Sequence, residues 1–198
     1  AICEDNTLCE FSVYNPNSVP NSGVNAIGLT NASFDNIRID DVTDSFFLPS
    51  AISTADYDYT ITRASTDLSL NDITITNSRR EAILAVGVDG LDMTHVTLDN
   101  SAQDRDMDLV VIQSSGRVTM ENATLSGGIN GLMLVDALRL ESITEGMRFR
   151  NITISDTSRA GIFLNPIRNV NFENTTVSNA GTHGIFMLGD SWGYNGGP

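Results

Sequence analysis

The sequence contains no lysine, and all 11 of its basic residues are arginines. This absence excludes Schiff-base lysines, lysine general bases and P-loop phosphate binding. Asp and Glu number 25, so the formal net charge is −14. A chain this acidic repels phosphate backbones, which makes nucleic acid a poor partner and favours cations, metal ions or neutral surfaces. No apolar run reaches the roughly 18 residues that a membrane-spanning helix needs, so the sequence predicts no membrane insertion.

Cysteine is also scarce, with 2 residues among 198. Cys3 and Cys9 lie close together without a nearby histidine, which is a poor zinc site. We interpret them as a disulfide, which implies an oxidising compartment and a secreted or cell-surface protein. Two free thiols in a cytosolic protein are the alternative. Because the chain begins at Ala1 rather than Met, we expect a removed leader or a piece of a longer chain.

A short motif recurs six times and dominates the organisation of the chain. Each copy has apolar residues at alternate positions on both sides of a polar residue, usually Asn or Asp, and a further apolar pair follows 7 to 11 residues later. In three copies that later pair is Leu109 and Val111, Leu132 and Leu134, or Ile162 and Leu164. Period-two alternation predicts three short strands per copy. The copies start at Phe34, Leu70, Met93, Met120, Phe149 and Phe172.

One copy cannot bury its apolar side alone, so the copies are expected to stack as coils around a continuous core. The sequence therefore predicts an all-β parallel β-helix solenoid of about six coils with three short strands each. We assign 1–30 to an N-terminal cap, 31–188 to the solenoid and 189–198 to a glycine-rich C-terminal tail.

The polar residue in the middle of each copy forms a column at a predicted bend. Asn and Asp tolerate left-handed backbone conformations, and stacked amides can bond one another along the axis. Three members also match the N-glycosylation pattern, but we interpret the column as a structural ladder. Its members are Asn36, Asp72, His95, Asn122, Asn151 and Asn174.

The repeat resembles the right-handed parallel β-helix superfamily, the pectate-lyase-like fold. Many polysaccharide lyases of this fold use calcium and an Arg or Lys base, which the resemblance makes an alternative here. However, Asn165-Pro-Ile-Arg168 does not match the lyase run Arg-x-Pro-x-x-Arg, and no catalytic set is recognisable.

Candidate site residues lie on the loops and on one outward face. The alternating Asp104, Asp106 and Asp108 offer hard oxygens for calcium, the one cofactor for which we find a candidate site. Arg79 and Arg80 occupy the equivalent turn of the preceding coil, where they either pair with these aspartates or bind an acidic glycan. Tyr57, Tyr59 and Trp192 are candidates for stacking on sugar rings or for ordinary loop packing.

A file of outward threonines is the remaining feature. Aligned hydroxyls and methyls on a flat sheet are the device of ice-binding β-helices, whereas a plain preference of Thr for exposed strands explains the same pattern. The file consists of Thr74, Thr97, Thr124, Thr153 and Thr176.

We therefore predict a non-catalytic extracellular or cell-surface module, either adhesin-like or a self-assembling structural subunit. Its partners would be other copies of itself or flanking domains of a longer chain, since an open β-helix end exposes unpaired strand edges. Two alternatives remain open: a lyase-like enzyme or binding module acting on acidic polysaccharide, and an ice-binding protein.

Overall fold

The computed structural model describes residues 24–25, 28–40, 52–53, 65–102, 107–135 and 146–188. Every regular element within these ranges is a β-strand. The strands are β1 Val24–Asn25, β2 Thr30–Asp40, β3 Ile52–Ser53, β4 Thr66–Thr76, β5 Ile83–Val86, β6 Asp89–Ser101, β7 Val110–Gln113, β8 Gly116–Gly127, β9 Leu132–Val135, β10 Met147–Ser155, β11 Ala160–Asn165, β12 Val170–Glu173, β13 Thr176–Ser178 and β14 His183–Met187.

The strands form two parallel sheets that alternate along the chain. The long-strand sheet has the order β12-β10-β8-β6-β4-β2, with β13 also paired to β10. The short-strand sheet has the order β1-β3-β5-β7-β9-β11-β14. Since each strand pairs with its counterpart one coil earlier and one coil later, the chain is a parallel β-solenoid, as the repeat predicts.

Alternation of inward and outward side chains explains why these segments are strands with one buried face. In β4, Leu68, Leu70, Ile73 and Ile75 are buried, while the residues between them face outward. The sheet register then stacks like residues from coil to coil: Ile73 pairs with Val96. The two inner faces enclose one continuous apolar core, so burial of these rows is the main force that holds the coils together.

The number and make-up of the coils differ from the prediction. Four regular turns, β4–β5, β6–β7, β8–β9 and β10–β11, lie between less regular turns at both ends of the described residues. Each regular turn has two strands rather than three, because the first two predicted strands continue through the Asn column as one long strand. The column residues have φ between 49° and 56°. Since every coil makes the same one-residue left-handed bend at the same place, neighbouring strands stay in register across it.

The inward residues of β7 also differ by one position from the predicted pair, Leu109 and Val111. Val110 and Ile112 pair with Ile83 and Ala85 of the previous coil and are fully buried. The stretch from 109 to 112 is apolar at every position, so alternation alone cannot tell which residues face inward.

Candidate functional site

A polar groove runs along the outward face of the long-strand sheet. Its volume is about 600 Å³. The groove crosses several coils because its polar side chains belong to rows that the sheet register stacks. Its described lining is Asp67, Leu68, Gly90, Asp92, Arg117, Thr119, Gly146, Met147, Arg148, Asn169 and Asn171.

One outward row provides the centre of the groove. Asp92 pairs in register with Thr119, Thr119 with Arg148, and Arg148 with Asn171. The Thr119 hydroxyl donates a hydrogen bond to Asp92 Oδ1. The residues that flank Arg148 along its own strand, Met147 and Phe149, are buried, so the alternation of β10 turns Arg148 outward.

Arg117 forms an ion-pair cluster at one side of the groove. Its Nε donates to Asp89 Oδ1 at 2.8 Å, and its Nη2 donates to Asp67 Oδ1 at 3.0 Å. The hydrogen bond to Asp89 makes the largest contribution, followed by that to Asp67, and both raise the pKa of Arg117 above its ordinary value. Gly90 makes room for the cluster, because a Cβ at this position would lie 2.7 Å from Asp67 Oδ1. Arg117 is therefore held by two carboxylates through its Nε and Nη2 atoms.

Arg150, the next outward arginine on β10, is also paired. Its Nε lies 3.8 Å from Glu121 Oε1 and 3.5 Å from Glu173 Oε2. Arg148 differs from both of these arginines, because within the described residues no carboxylate or other group pairs with its guanidinium. The groove thus contains one arginine that is free to meet an anion.

The Asn column forms a ladder of side-chain hydrogen bonds in the later coils. Asn151 Nδ2 donates to Asn122 Oδ1 at 2.9 Å, and Asn174 Nδ2 donates to Asn151 Oδ1 at 3.2 Å. In the earlier coils His95 Nδ1 lies 3.5 Å from Asp72 Oδ1. These contacts give the column a structural role at the bend.

A family comparison decides the class of the chain. The sequence profile described as "Right handed beta helix region" matches residues 61–195, which is more than half of the chain. The chain belongs to the right-handed β-helix family. No curated protein matches this β-helix.

A solved structure similar to this β-helix is the catalytic domain of a GH87 alpha-1,3-glucanase, described as a variant in complex with tetrasaccharides. The identity is 13% and the TM-score is 0.42. The match covers 82% of this chain and 40% of the glucanase chain, so this β-helix spans about two fifths of that protein.

The outward threonines of the β-helix are aligned. Thr74 pairs with Thr97, and the register continues through the other members in turn. Thr74 is half-buried and the other four are exposed. The file is therefore a straight row on the half of the long-strand sheet beyond the Asn column, away from the groove.

The candidate calcium loop lies only partly within the described residues. Asp104 and Asp106 fall outside them. Asp108 Oδ1 accepts hydrogen bonds from Asn130 Nδ2 at 2.6 Å and from the Asn130 amide at 3.2 Å. Burial raises the pKa of Asp108, and these hydrogen bonds offset only part of that effect. Within the described residues, no group of three or more His, Cys, Asp or Glu is placed to hold a metal ion.

The neighbouring arginines do not bond Asp108. Arg80 Nε donates to Met107 Sδ at 3.4 Å, and Arg79 is exposed. The structure thus places both arginines at the turn that precedes β5, on the coil before Asp108, as their sequence positions predict.

The other predicted residues lie outside the described ranges: Tyr57, Tyr59 and Trp192 of the aromatic clusters, and Cys3 and Cys9 of the predicted disulfide. In the part of the chain that the structure describes, no helix has the length and hydropathy needed to cross a lipid bilayer.

Sequence reasoning missed the groove and Arg148. The outward position of Arg148 can be read from the alternation around it, but its lack of an acidic partner depends on which residues the register places beside it. Arg148 and Arg150 look alike in the sequence, and only the neighbouring coils distinguish them.

Proposed function

We propose that this protein is a non-catalytic, extracellular or cell-surface β-helix module that associates with a second copy of itself through its last described coil. The observation that carries the proposal is the outer edge of β12, β13 and β14, which no described strand pairs and which we call the open end. Ile185 is 53% exposed and Met187 is 70% exposed, although in the previous coil the residues at the same positions, Ile162 and Leu164, are buried. Such an end presents apolar side chains and unpaired strand edges to a partner.

Gly131, Gly161 and Gly184 occupy equivalent positions in successive coils, and this glycine column supports the idea that the open end is shaped to pack against another coil. A Cβ on Gly131 would lie 2.3 Å from Ile154 Cγ2, and one on Gly161 would lie 2.2 Å from Val177 Cγ1. Glycine at these positions lets the next coil pack closely. At Gly184, the third member of the column, a Cβ would have no atom within 4 Å.

The two ends of the described solenoid differ, which favours a closed dimer over a filament. At the first coil the inward residues are less exposed: Val24 is 3% exposed, Ala32 5% and Phe34 2%, and Ile37 and Ile39 are partly buried. Head-to-tail stacking needs two complementary ends, whereas two identical open ends can meet about a two-fold axis. We therefore expect a pair of molecules joined at β12–β14.

The outward polar residues support a structural rather than a catalytic role. Most of the charged side chains described above are engaged with a neighbouring coil, as in the pairs of Arg117 with Asp89 and of Arg150 with Glu173. General acid–base catalysis needs titratable groups that remain available to a substrate. Among the described residues, Arg117 and Arg150 instead pair with carboxylates of neighbouring coils.

The test is the association state of matched variants. Sedimentation velocity over a wide concentration range should show a monomer–dimer equilibrium for the wild type. Met187→Asp should remain monomeric, because it places a charge on the exposed apolar end. Thr97→Asp introduces the same charge at an exposed outward position on β6, away from that end, and should associate as the wild type does. A wild type that is monomeric at every concentration, or equal loss of association in both variants, would overturn the proposal.

Ice binding is a second candidate, because the exposed threonines lie in register on a regular sheet. Thr124→Tyr would interrupt the row near its centre, so thermal hysteresis should be present in the wild type and reduced in this variant. Thr66→Tyr, outside the row, is the matched control. The absence of hysteresis in the wild type would end this candidate.

The acidic-polysaccharide enzyme remains the third candidate, with Arg79, Arg80 and the Asp104–Asp108 loop as its site. Incubation with pectate or alginate, with and without calcium, should then yield the ultraviolet absorbance of an unsaturated product. Arg79→Gln should abolish that signal, and the absence of product from the wild type would rule the activity out.

A further inference from the structure

We infer that Asn31 is an N-glycosylation site, at which an oligosaccharide is attached to the side-chain amide nitrogen. The inference rests on the extracellular location under the proposed function, since a secreted chain meets the glycosylation machinery. It does not depend on self-association.

The sequence around Asn31 matches the acceptor pattern for N-linked oligosaccharides. Asn31-Ala-Ser33 has a hydroxyl residue two positions after the asparagine and no proline between them. The same pattern begins at three members of the Asn column, Asn122, Asn151 and Asn174. The motif alone does not select among the four, so the contacts of the asparagines must distinguish them.

The side-chain hydrogen bonds single out Asn31. The amide nitrogens of Asn151 and Asn174 donate to the preceding coil at 2.9 Å and 3.2 Å, and Asn122 Oδ1 accepts the first of these bonds. Within the described residues, no group bonds the side chain of Asn31. Its amide nitrogen can therefore carry a new group without the loss of a contact between coils.

The position of Asn31 leaves room for a large group. Asn31 lies on β2, at one end of the long-strand sheet, where no described strand pairs with the outer edge. Asn31 and Ser33 are both exposed, whereas Ala32 between them is buried. Asn122 and Asn151, on β8 and β10, instead have a described strand on either side, about 4.8 Å away. An oligosaccharide on Asn31 would extend into solvent at the end of the sheet opposite β12, where it leaves the open end clear.

The transfer requires a lipid-linked oligosaccharide diphosphate as donor, which the secretory pathway supplies together with the transferase. The Asn31 amide nitrogen displaces the diphosphate from the anomeric carbon of the first sugar. One C–N bond forms, the C–O bond to the diphosphate breaks with its electron pair on the diphosphate, and the nitrogen loses one proton to the transferase. Glycosylation therefore needs no catalytic residue of this β-helix.

The experiment directs the 198-residue chain through the secretory pathway of eukaryotic cells behind a host leader. The intact mass of the protein from medium and cells is measured before and after treatment with peptide-N-glycosidase, which leaves an aspartate wherever it removes a glycan and so locates the site. We expect Asn31 to be occupied, and Asn151 and Asn174 to be unoccupied in the secreted protein.

Matched variants test the pattern without a change at Asn31. Ser33→Ala should lose the glycan, and Ser33→Thr should keep it. Thr153→Val removes the pattern at Asn151 but leaves that asparagine in place, so its glycan mass should equal that of the wild type. Asn31→Asp should lose the glycan and still fold, because Asp67, at the equivalent position of the next coil, adopts the same left-handed backbone with φ of 52°.

Three results would each overturn the inference: a wild type without a glycan at Asn31, a Ser33→Ala variant that keeps the wild-type glycan mass, or secreted protein with its glycans at Asn151 or Asn174. Sedimentation velocity reports the proposed dimer separately. An occupied Asn31 on a protein that is monomeric at every concentration would support the glycosylation site and refute only the self-association.

Discussion

The glycine column gives a sharp test of coil stacking, because the same substitution at two equivalent positions should have different effects. In Gly161→Ala the new Cβ would lie 2.2 Å from Val177 Cγ1 and 3.0 Å from the Gly184 carbonyl oxygen. Carbon atoms in good contact are about 3.5–4.0 Å apart, so β11 or the following coil must move. In Gly184→Ala the new Cβ meets nothing.

The expected magnitude follows from these contacts. Overpacking a close contact costs about 1–3 kcal/mol in the free energy of unfolding. Replacement of Gly by Ala also restricts the unfolded chain, which stabilises a protein by about 0.4–1 kcal/mol where the native backbone is compatible. Neither glycine has a positive φ, so this second contribution is common to both variants. Gly161→Ala should therefore be about 1–3 kcal/mol less stable than Gly184→Ala.

Urea unfolding followed by circular dichroism measures this difference. The protein should be dilute, so that association at the open end near Gly184 does not contribute. For a chain of this size, the difference corresponds to about 2–12 °C in melting temperature. Equal stabilities of the two variants would refute the close packing of β11 against the coil of β14.

Three further predictions concern single polar residues. Burial raises the pKa of Asp108 in the folded protein, so its contribution to stability falls as the pH rises from about 4 through that raised pKa. Asp108→Asn should therefore be more stable than the wild type at neutral pH but not at acidic pH. Hydrogen bonds, first from Ser155 and then from Asn179, lower the pKa of Asp156, so its contribution to stability is present above about pH 4 and is lost on acidification. Asp156→Asn should therefore be less stable than the wild type at neutral pH. A stability difference that does not change with pH, for either variant, would contradict these pKa shifts. At Asn151, where φ is 54°, both Ala and Gly remove the ladder hydrogen bonds, but only Ala strains the backbone, by about 1–2 kcal/mol. The melting temperature of Asn151→Ala should therefore be lower than that of Asn151→Gly. The reverse order would argue against the left-handed bend.

The fold was predictable because one physical pattern repeats. Residues such as Ile73, Val96 and Ile152 alternate with polar residues at a constant offset from the Asn column, and only stacked coils can bury all of them. The number of strands per coil was less predictable, since a one-residue bend at Asn151 interrupts neither the strand nor its pairing. In β7 the fully apolar stretch removed the alternation that assigns the faces.

The candidate groove was harder to foresee for a different reason. Arg148 is two residues from Arg150, and both alternate outward on β10. Their difference comes from the neighbouring strands, where Thr119 lies beside Arg148 and Glu121 beside Arg150. The loop lengths between coils set which residues become neighbours, and without the register those neighbours are unknown.

The central claim is that equivalent residues of successive copies lie directly over one another, and nuclear Overhauser contacts across the long-strand sheet test it most directly. In a labelled sample, Thr74 should contact Thr97 and Ala123 should contact Ile152, as parallel neighbours about 4.8 Å apart. Cross-strand contacts with antiparallel order, or contacts that leave Ala123 and Ile152 unconnected, would contradict the solenoid.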